Sequence, residues 1–85
     1  MLPPRIKRAT PLPPTKVRLE YMDGQVRVFD MEPLLDKGIF RELRDPAMFA
    51  SARAVIDTVE WANGADVEPE WLYEDSVPQK GEDEQ

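Results

Sequence analysis

Between Lys16 and Asp30 the sequence KVRLEYMDGQVRVFD alternates apolar and polar side chains on both sides of Asp23-Gly24. This is the period-two pattern of two half-buried strands joined by a tight turn. Asp-Gly in a two-residue loop supplies the positive φ angles of a type I′ turn. With Met22 and Gln25 flanking that turn, Tyr21 faces Val26, Leu19 faces Val28 and Val17 falls opposite Asp30. One face then carries Val17, Leu19, Tyr21, Val26 and Val28, the predicted core face. The other carries Arg18, Glu20, Gln25 and Arg27, with Glu20 opposite Arg27 as a charge pair worth at most about 1 kcal/mol. A lone hairpin is marginal in water, so the remaining segments must cover its apolar face.

Upstream, residues 1–4 read as a loose end and Arg5 to Ala9 as a short strand centred on Ile6, ended by Pro11, Pro13 and Pro14. Arg8 to Pro14 also fits the R-x-x-P-x-x-P pattern of polyproline ligands. The simpler reading is a stiff connection barred from a sheet centre. Downstream, Asp30 is placed to cap a helix over Met31 to Lys37, with Pro33 in its first turn and Gly38 as its stop. Leu34, Leu35, Ile39, Phe40 and Leu43 form an apolar cluster expected over the hairpin's core face, and Asp45-Pro46 opens another turn with Phe49 as a core anchor. Ser51 to Val55 and Thr58 to Trp61 read as strands about a turn near Ile56-Asp57, and Asn63-Gly64 is a second turn signal after which Ala65 to Val67 resume pairing. Asp66 to Tyr73 then predicts a capped, proline-initiated helical turn, the same local mechanics as Asp30 to Leu35. The segment 77–85, with one valine and three consecutive acids at Glu82 to Glu84, is expected to be disordered. The pattern predicts one α+β domain over residues 5–76: a small, mostly antiparallel sheet built on the hairpin, with two or three short helices.

Composition removes most chemistry. Eighty-five residues hold one modest core, and the absence of cysteine and histidine removes disulfides, thiolates and the commonest general base and metal ligand. Ser51 and Ser76 have no histidine to activate them, and no Gly-rich phosphate loop occurs. The expectation is a non-enzyme with no cofactor and no metal. With no apolar signal region and no run near the roughly 18 residues of a membrane span, a soluble cytoplasmic protein is expected.

The net charge of -6 is unevenly spread: Met1 to Arg27 holds six Lys/Arg against two acids, and Val28 to Gln85 five against fifteen. An acidic body argues against direct binding to a phosphate backbone and suits a basic protein partner. The carboxylates Asp66, Glu68, Glu70, Glu74 and Asp75 gather near Trp61, Trp71 and Tyr73 at a spacing that matches no calcium loop. They read first as a solvated face with helix caps. At least one tryptophan is expected in the core; one left exposed would add an aromatic anchor to an acidic rim, a docking site for an Arg-rich partner. The candidate partner-binding residues are therefore Trp61, Asp66, Glu68, Glu70, Trp71, Glu74 and Asp75. The alternative is a ligand-sensing or nucleic-acid-linked regulatory domain whose basic arm, Arg5, Lys7, Arg8 and Lys16, touches phosphates with the help of a DNA-binding partner.

The motifs V-x-V-F-D-x-x-P-L-L at Val26 to Leu35, G-x-F-x-x-L-x-D-P-x-x-F at Gly38 to Phe49 and V-x-W-x-N-G-x-D-x-x-P-x-x-L-Y at Val59 to Tyr73 follow the Asp23-Gly24 turn. Together they resemble the short bacterial domain-of-unknown-function family 2442 over roughly residues 5–75, the last motif being the most specific. Alanine-rich Ala50 to Ile56 departs from the bulkier family pattern. The resemblance implies a small α+β fold similar to an N-terminal module that elsewhere precedes a helix-turn-helix domain, of which no pattern follows here. It also implies genes beside those of small partner proteins, as in toxin-antitoxin pairs, hence a neutralising or regulatory binding role with the neighbouring gene's product as partner. No family catalytic residues are implied.

Overall fold

A computed structural model describes residues 2–79. Strands β1 (Ile6–Leu12), β2 (Lys16–Tyr21) and β3 (Val26–Asp30) are followed by two 3-10 segments, Glu32–Leu34 and Gly38–Arg44, and by helix α1 (Pro46–Phe49). Strands β4 (Arg53–Val55) and β5 (Thr58–Glu60), helix α2 (Pro69–Asp75) and strand β6 (Val77–Pro78) complete the chain. One antiparallel sheet has the order β1-β2-β3-β6, and β4 and β5 form a second, two-stranded sheet. The fold is α+β and its main sheet is built on the predicted hairpin.

The turn of that hairpin is one residue longer than the two-residue type. The Tyr21 amide donates to the Gln25 carbonyl at 2.8 Å and the Gly24 amide to the Tyr21 carbonyl at 3.0 Å, so Met22, Asp23 and Gly24 form a three-residue loop. Gly24 supplies the left-handed residue at φ 97°, and Asp23 Oδ1 braces the loop by accepting the Gln25 amide at 3.1 Å. Val17 therefore faces Phe29, Leu19 faces Arg27 and Glu20 faces Val26, which corrects the expected pairing by one residue. The faces of β2 stand as expected, with Val17, Leu19 and Tyr21 buried. Those of β3 exchange: Phe29 and the following Met31 enter the core, while Val26 and Val28 join Arg18 and Glu20 on the outer face. The pattern V-R-V-F-D-M offers an apolar set on either face, and the larger side chains of Phe29 and Met31 remove more surface from water than two valines. Glu20 takes its charge partner from its own strand, Arg18 at 2.7 Å, and not from Arg27.

The same loop occurs a second time. The Trp61 amide donates to the Ala65 carbonyl, the Gly64 amide to the Trp61 carbonyl and the Ala65 amide to Asn63 Oδ1, with Gly64 at φ 90°. In both places an aromatic residue enters the loop and is buried, as Tyr21 and Trp61 are. After the second loop pairing resumes only as a single bridge between Glu60 and Asp66.

Other expectations are met or corrected locally. β1 runs to Leu12 through Pro11, beyond the predicted end; as an edge strand it tolerates a missing N–H, and the proline-rich segment is paired with β2 and is not a free polyproline helix. The helix expected over Met31 to Lys37 shortens to one 3-10 turn, with Asp30 Oδ1 accepting the Glu32 amide at 3.0 Å. Asp45 caps α1 by accepting the Met48 amide. Ile39, placed in the apolar cluster by sequence, is exposed, whereas Leu34, Leu35, Leu43, Phe49, Val59, Trp61 and Leu72 pack with the β2 and β3 residues on the inner face of the main sheet. Ile56 turns the β4–β5 hairpin at φ 55°, a strained setting for a β-branched residue, and its carbonyl accepts the Ile6 amide at 2.7 Å. Val77 and Pro78, assigned by sequence to a disordered tail, pair with Val28 and Arg27. Gln79 continues that pairing, its amide donating to the Val26 carbonyl at 2.8 Å, while the predicted tail from 80 onward and Met1 lie outside the described residues.

Candidate functional site

α2 is short, and proline at its first position together with a capping acid accounts for where it starts. Glu68, not Asp66, is the cap: its Oε1 accepts the Trp71 amide at 3.0 Å. Leu72 and, one turn on, the buried Ser76 point into the domain, with Tyr73 half-buried beside them. The helical period then turns Glu70, Trp71, Glu74 and Asp75 outward. Trp71 keeps 41% of its surface exposed and its indole N–H donates to the carboxylate of Asp75, one turn away.

Of the residues predicted from sequence, α2 and its cap bring together Glu68, Glu70, Trp71, Glu74 and Asp75. Asp66 stands apart on the bridge to Glu60. Trp61 is removed from the site: it is 1% exposed, and its indole N–H donates to the Phe49 carbonyl at 3.2 Å. A domain this small fills its centre with its largest side chain, and the Asn63-Gly64 loop folds that side chain inward.

The acids of α2 do not all serve the helix. Glu68 and Glu70 lie at its N-terminal end, where negative charge suits the cap and the dipole. Glu74 and Asp75 occupy a last turn that holds no basic residue, and Glu74 lies one turn from Glu70 on the same side, like charges that cost an isolated helix roughly 0.2–0.5 kcal/mol. Among the described residues the ion pairs are Arg18 with Glu20 and Arg53 with Glu60, so no carboxylate of α2 is neutralised by one.

The underside of α2 is held by a polar network that exists because β3 turns Gln25 and Arg27 inward. Arg27 lies over the Tyr73 ring, 4.5 Å from its centroid, and its guanidinium donates to the Ser76 hydroxyl, to the Ser76 carbonyl at 2.8 Å and to Gln25 Oε1 at 3.0 Å. Gln25 Nε2 donates to the Tyr73 hydroxyl at 2.8 Å and to Asp23 Oδ2 at 2.7 Å. The hydrogen bonds that Asp23 accepts from Gln25, first from its side chain and then from its backbone amide, hold the Asp23 carboxyl below the usual carboxylate range.

Tyr73 stands edge-on to Tyr21 at 5.2 Å, and the Tyr21 hydroxyl is buried without a hydrogen-bond partner among the described residues. Burial pushes that phenol up to about 12, and the nearby Arg27 cation opposes the shift without cancelling it. Because the folded value lies above the ordinary value of 10.0, the phenol's contribution is intact below about pH 10 and lost as pH rises toward about 12. Thermal melts should therefore show the wild type losing stability across that interval faster than Tyr21→Phe. Parallel losses in the two proteins would remove burial of the phenol as the cause.

Two shallow hollows flank the C-terminal end of α2. One, of about 410 Å³, lies between Lys16, Val28, Asp30, Val77, Pro78 and Asp75. The other, of about 250 Å³, lies between Trp71, Asp75, Asp30, Phe29, Pro33 and Leu34. The expectation from sequence omitted Asp30 and Val77, the first read only as a cap and the second as tail. No local signal points to them, because Gly24 suits a two-residue turn as well as the three-residue loop that carries Val28 and Asp30 to the outer face. Asp30 and Asp75 are both solvent-exposed, and each already accepts a structural hydrogen bond, from the Glu32 amide and the Trp71 indole. Among the described residues no three carboxylates gather as a metal-binding group, and no helix is long and apolar enough to cross a membrane.

The model of a family described as a protein of unknown function (DUF2442) matches residues 6–78. The chain belongs to this family. The match runs from the first residue of β1 to the last of β6, so the DUF2442 domain is the described fold, and the late strand β6 is part of it. No curated protein and no solved structure matches the chain.

Proposed function

We infer that this DUF2442 domain is a non-enzymatic interaction module, regulatory or antitoxin-like, that binds a basic protein through the outward side of α2. The observation that carries this reading is an exposed tryptophan set among carboxylates that disfavour their own helix: Trp71 beside Asp75, with Glu74 in the same last turn. Together the exposed indole and the unneutralised carboxylates make an anchor and a steering field for a cationic surface. The alternative, phosphate contact by the basic arm, is weakened by the register. Arg8 lies opposite Glu20 and Lys16 opposite Asp30, so acids are interleaved with the arm's cations.

Co-expression with the product of an adjacent gene, followed by capture at low and high salt, tests the reading. A complex that forms at low salt, weakens as salt rises and is reduced by Trp71→Ala supports it. Failure to form any complex at low salt with either neighbour's product overturns it. A gel shift with DNA that depends on residues 1–14 would favour the alternative.

A further inference from the structure

The main sheet is open at one corner. Among the described residues β6 pairs only with Arg27 and Val28, and Asp30, the last residue of β3, has no strand beside it on that side. The Met31 amide donates to Thr15, which by antiparallel alternation turns the backbone N–H and C=O of Asp30 away from β2 and toward the open corner. The two hollows meet here, because Asp30 and Asp75 line both. Val28, Val77 and Pro78 give the larger hollow an apolar wall, and Trp71 gives the smaller one an aromatic wall.

We propose that this groove, and not the Glu70–Glu74 side of α2, seats the partner, and that its occupant is an extended, arginine-bearing segment of a basic protein. The proposal rests on the reading of α2 as a docking element. The guanidinium lies between the Asp30 and Asp75 carboxylates and against Trp71. Each carboxylate uses one oxygen internally, Asp30 Oδ1 for the Glu32 amide and Asp75 Oδ2 for the Trp71 indole, which leaves the second oxygen of each for a ligand. A planar cation that donates to two carboxylates and stacks on an indole suits this arrangement better than an ammonium. An apolar neighbour of that arginine covers Val28 and Val77, and the backbone of Asp30 offers an extended segment one strand-like pairing. Lys16, directly across the strand pair from Asp30, opposes a cation there, so its removal strengthens binding.

The test is an NMR titration of the full 85-residue chain with acetyl-Val-Arg-Val-Arg-Val-amide and with the same peptide carrying neutral citrulline for arginine. The arginine peptide is expected to shift the Trp71 indole and the Asp30 and Val77 amides saturably, and the citrulline peptide to leave them in place. Asp30→Asn and Asp75→Asn keep the internal acceptor oxygens and so the fold; each weakens binding about tenfold, as loss of a charge-assisted hydrogen bond does. Lys16→Gln tightens binding severalfold, and Glu74→Gln leaves it unchanged. Equal shifts with citrulline, or Glu70→Gln and Glu74→Gln weakening binding where Asp30→Asn does not, overturn the groove while the docking reading of α2 survives. An arginine peptide that shifts no resonance at low salt overturns both.

Discussion

Trp61→Ala is expected to cost about 3–5 kcal/mol, the range for emptying a large buried aromatic site. Trp61 is among the largest fully buried side chains, with its ring 6.4 Å from that of Phe49 and its indole N–H on the Phe49 carbonyl. Domains of this size have total stabilities of the same order, so the variant should be largely unfolded at room temperature. Trp61→Phe keeps most of the packing but strips the Phe49 carbonyl of its donor, with an expected cost of about 1–3 kcal/mol. Trp71→Ala, from the half-exposed position on α2, should cost no more than about 1 kcal/mol. Urea melts followed by circular dichroism give the ordering directly. If Trp71→Ala destabilises more than Trp61→Ala, the two tryptophans have exchanged roles, and Trp71 loses its standing as a surface anchor.

Leu19→Ala should cost about 2–5 kcal/mol, because Leu19 is wholly buried at the centre of the main sheet. What distinguishes the three-residue loop from the two-residue loop is the response of β3. Gln25 sits on the inner face, bonded to Asp23, Tyr73 and Arg27. Gln25→Lys removes the acceptor for Arg27 and sets a second cation beside it, for an expected cost of about 1–2 kcal/mol. Val28→Thr, on the outer face, should stay within about 0.5 kcal/mol. With a two-residue turn Val28 would lie in the core opposite Leu19, and a buried hydroxyl there would cost more than the Gln25 substitution. Urea melts that rank Val28→Thr above Gln25→Lys would restore the shorter turn and remove the network beneath α2.

Much of this fold is a local matter and is legible in the residues alone. Asp23-Gly24 and Asn63-Gly64 announce their turns, alternation marks β2 and its buried face, and Pro46 and Pro69 behind acidic caps start both α-helices. The acidic, tryptophan-bearing character of α2 is equally a property of the sequence, as is the family to which the chain belongs. Tertiary structure decided what local pattern leaves degenerate. β3 presents apolar residues at both parities, so its facing follows from a one-residue difference in loop length and from the greater burial of Phe29 and Met31. Neither tryptophan carries a local sign of its depth; competition for a small interior places Trp61 inside and leaves Trp71 at the surface. The open corner at Asp30 is the least legible feature, because it needs the register of β3, the late start of β6 and the end of α2 at once. Those contacts join residues 45 to 51 positions apart in the chain, from Asp30 and Asp75 to Arg27 and Pro78, and a local pattern, which reads one turn or one strand at a time, does not reach across them.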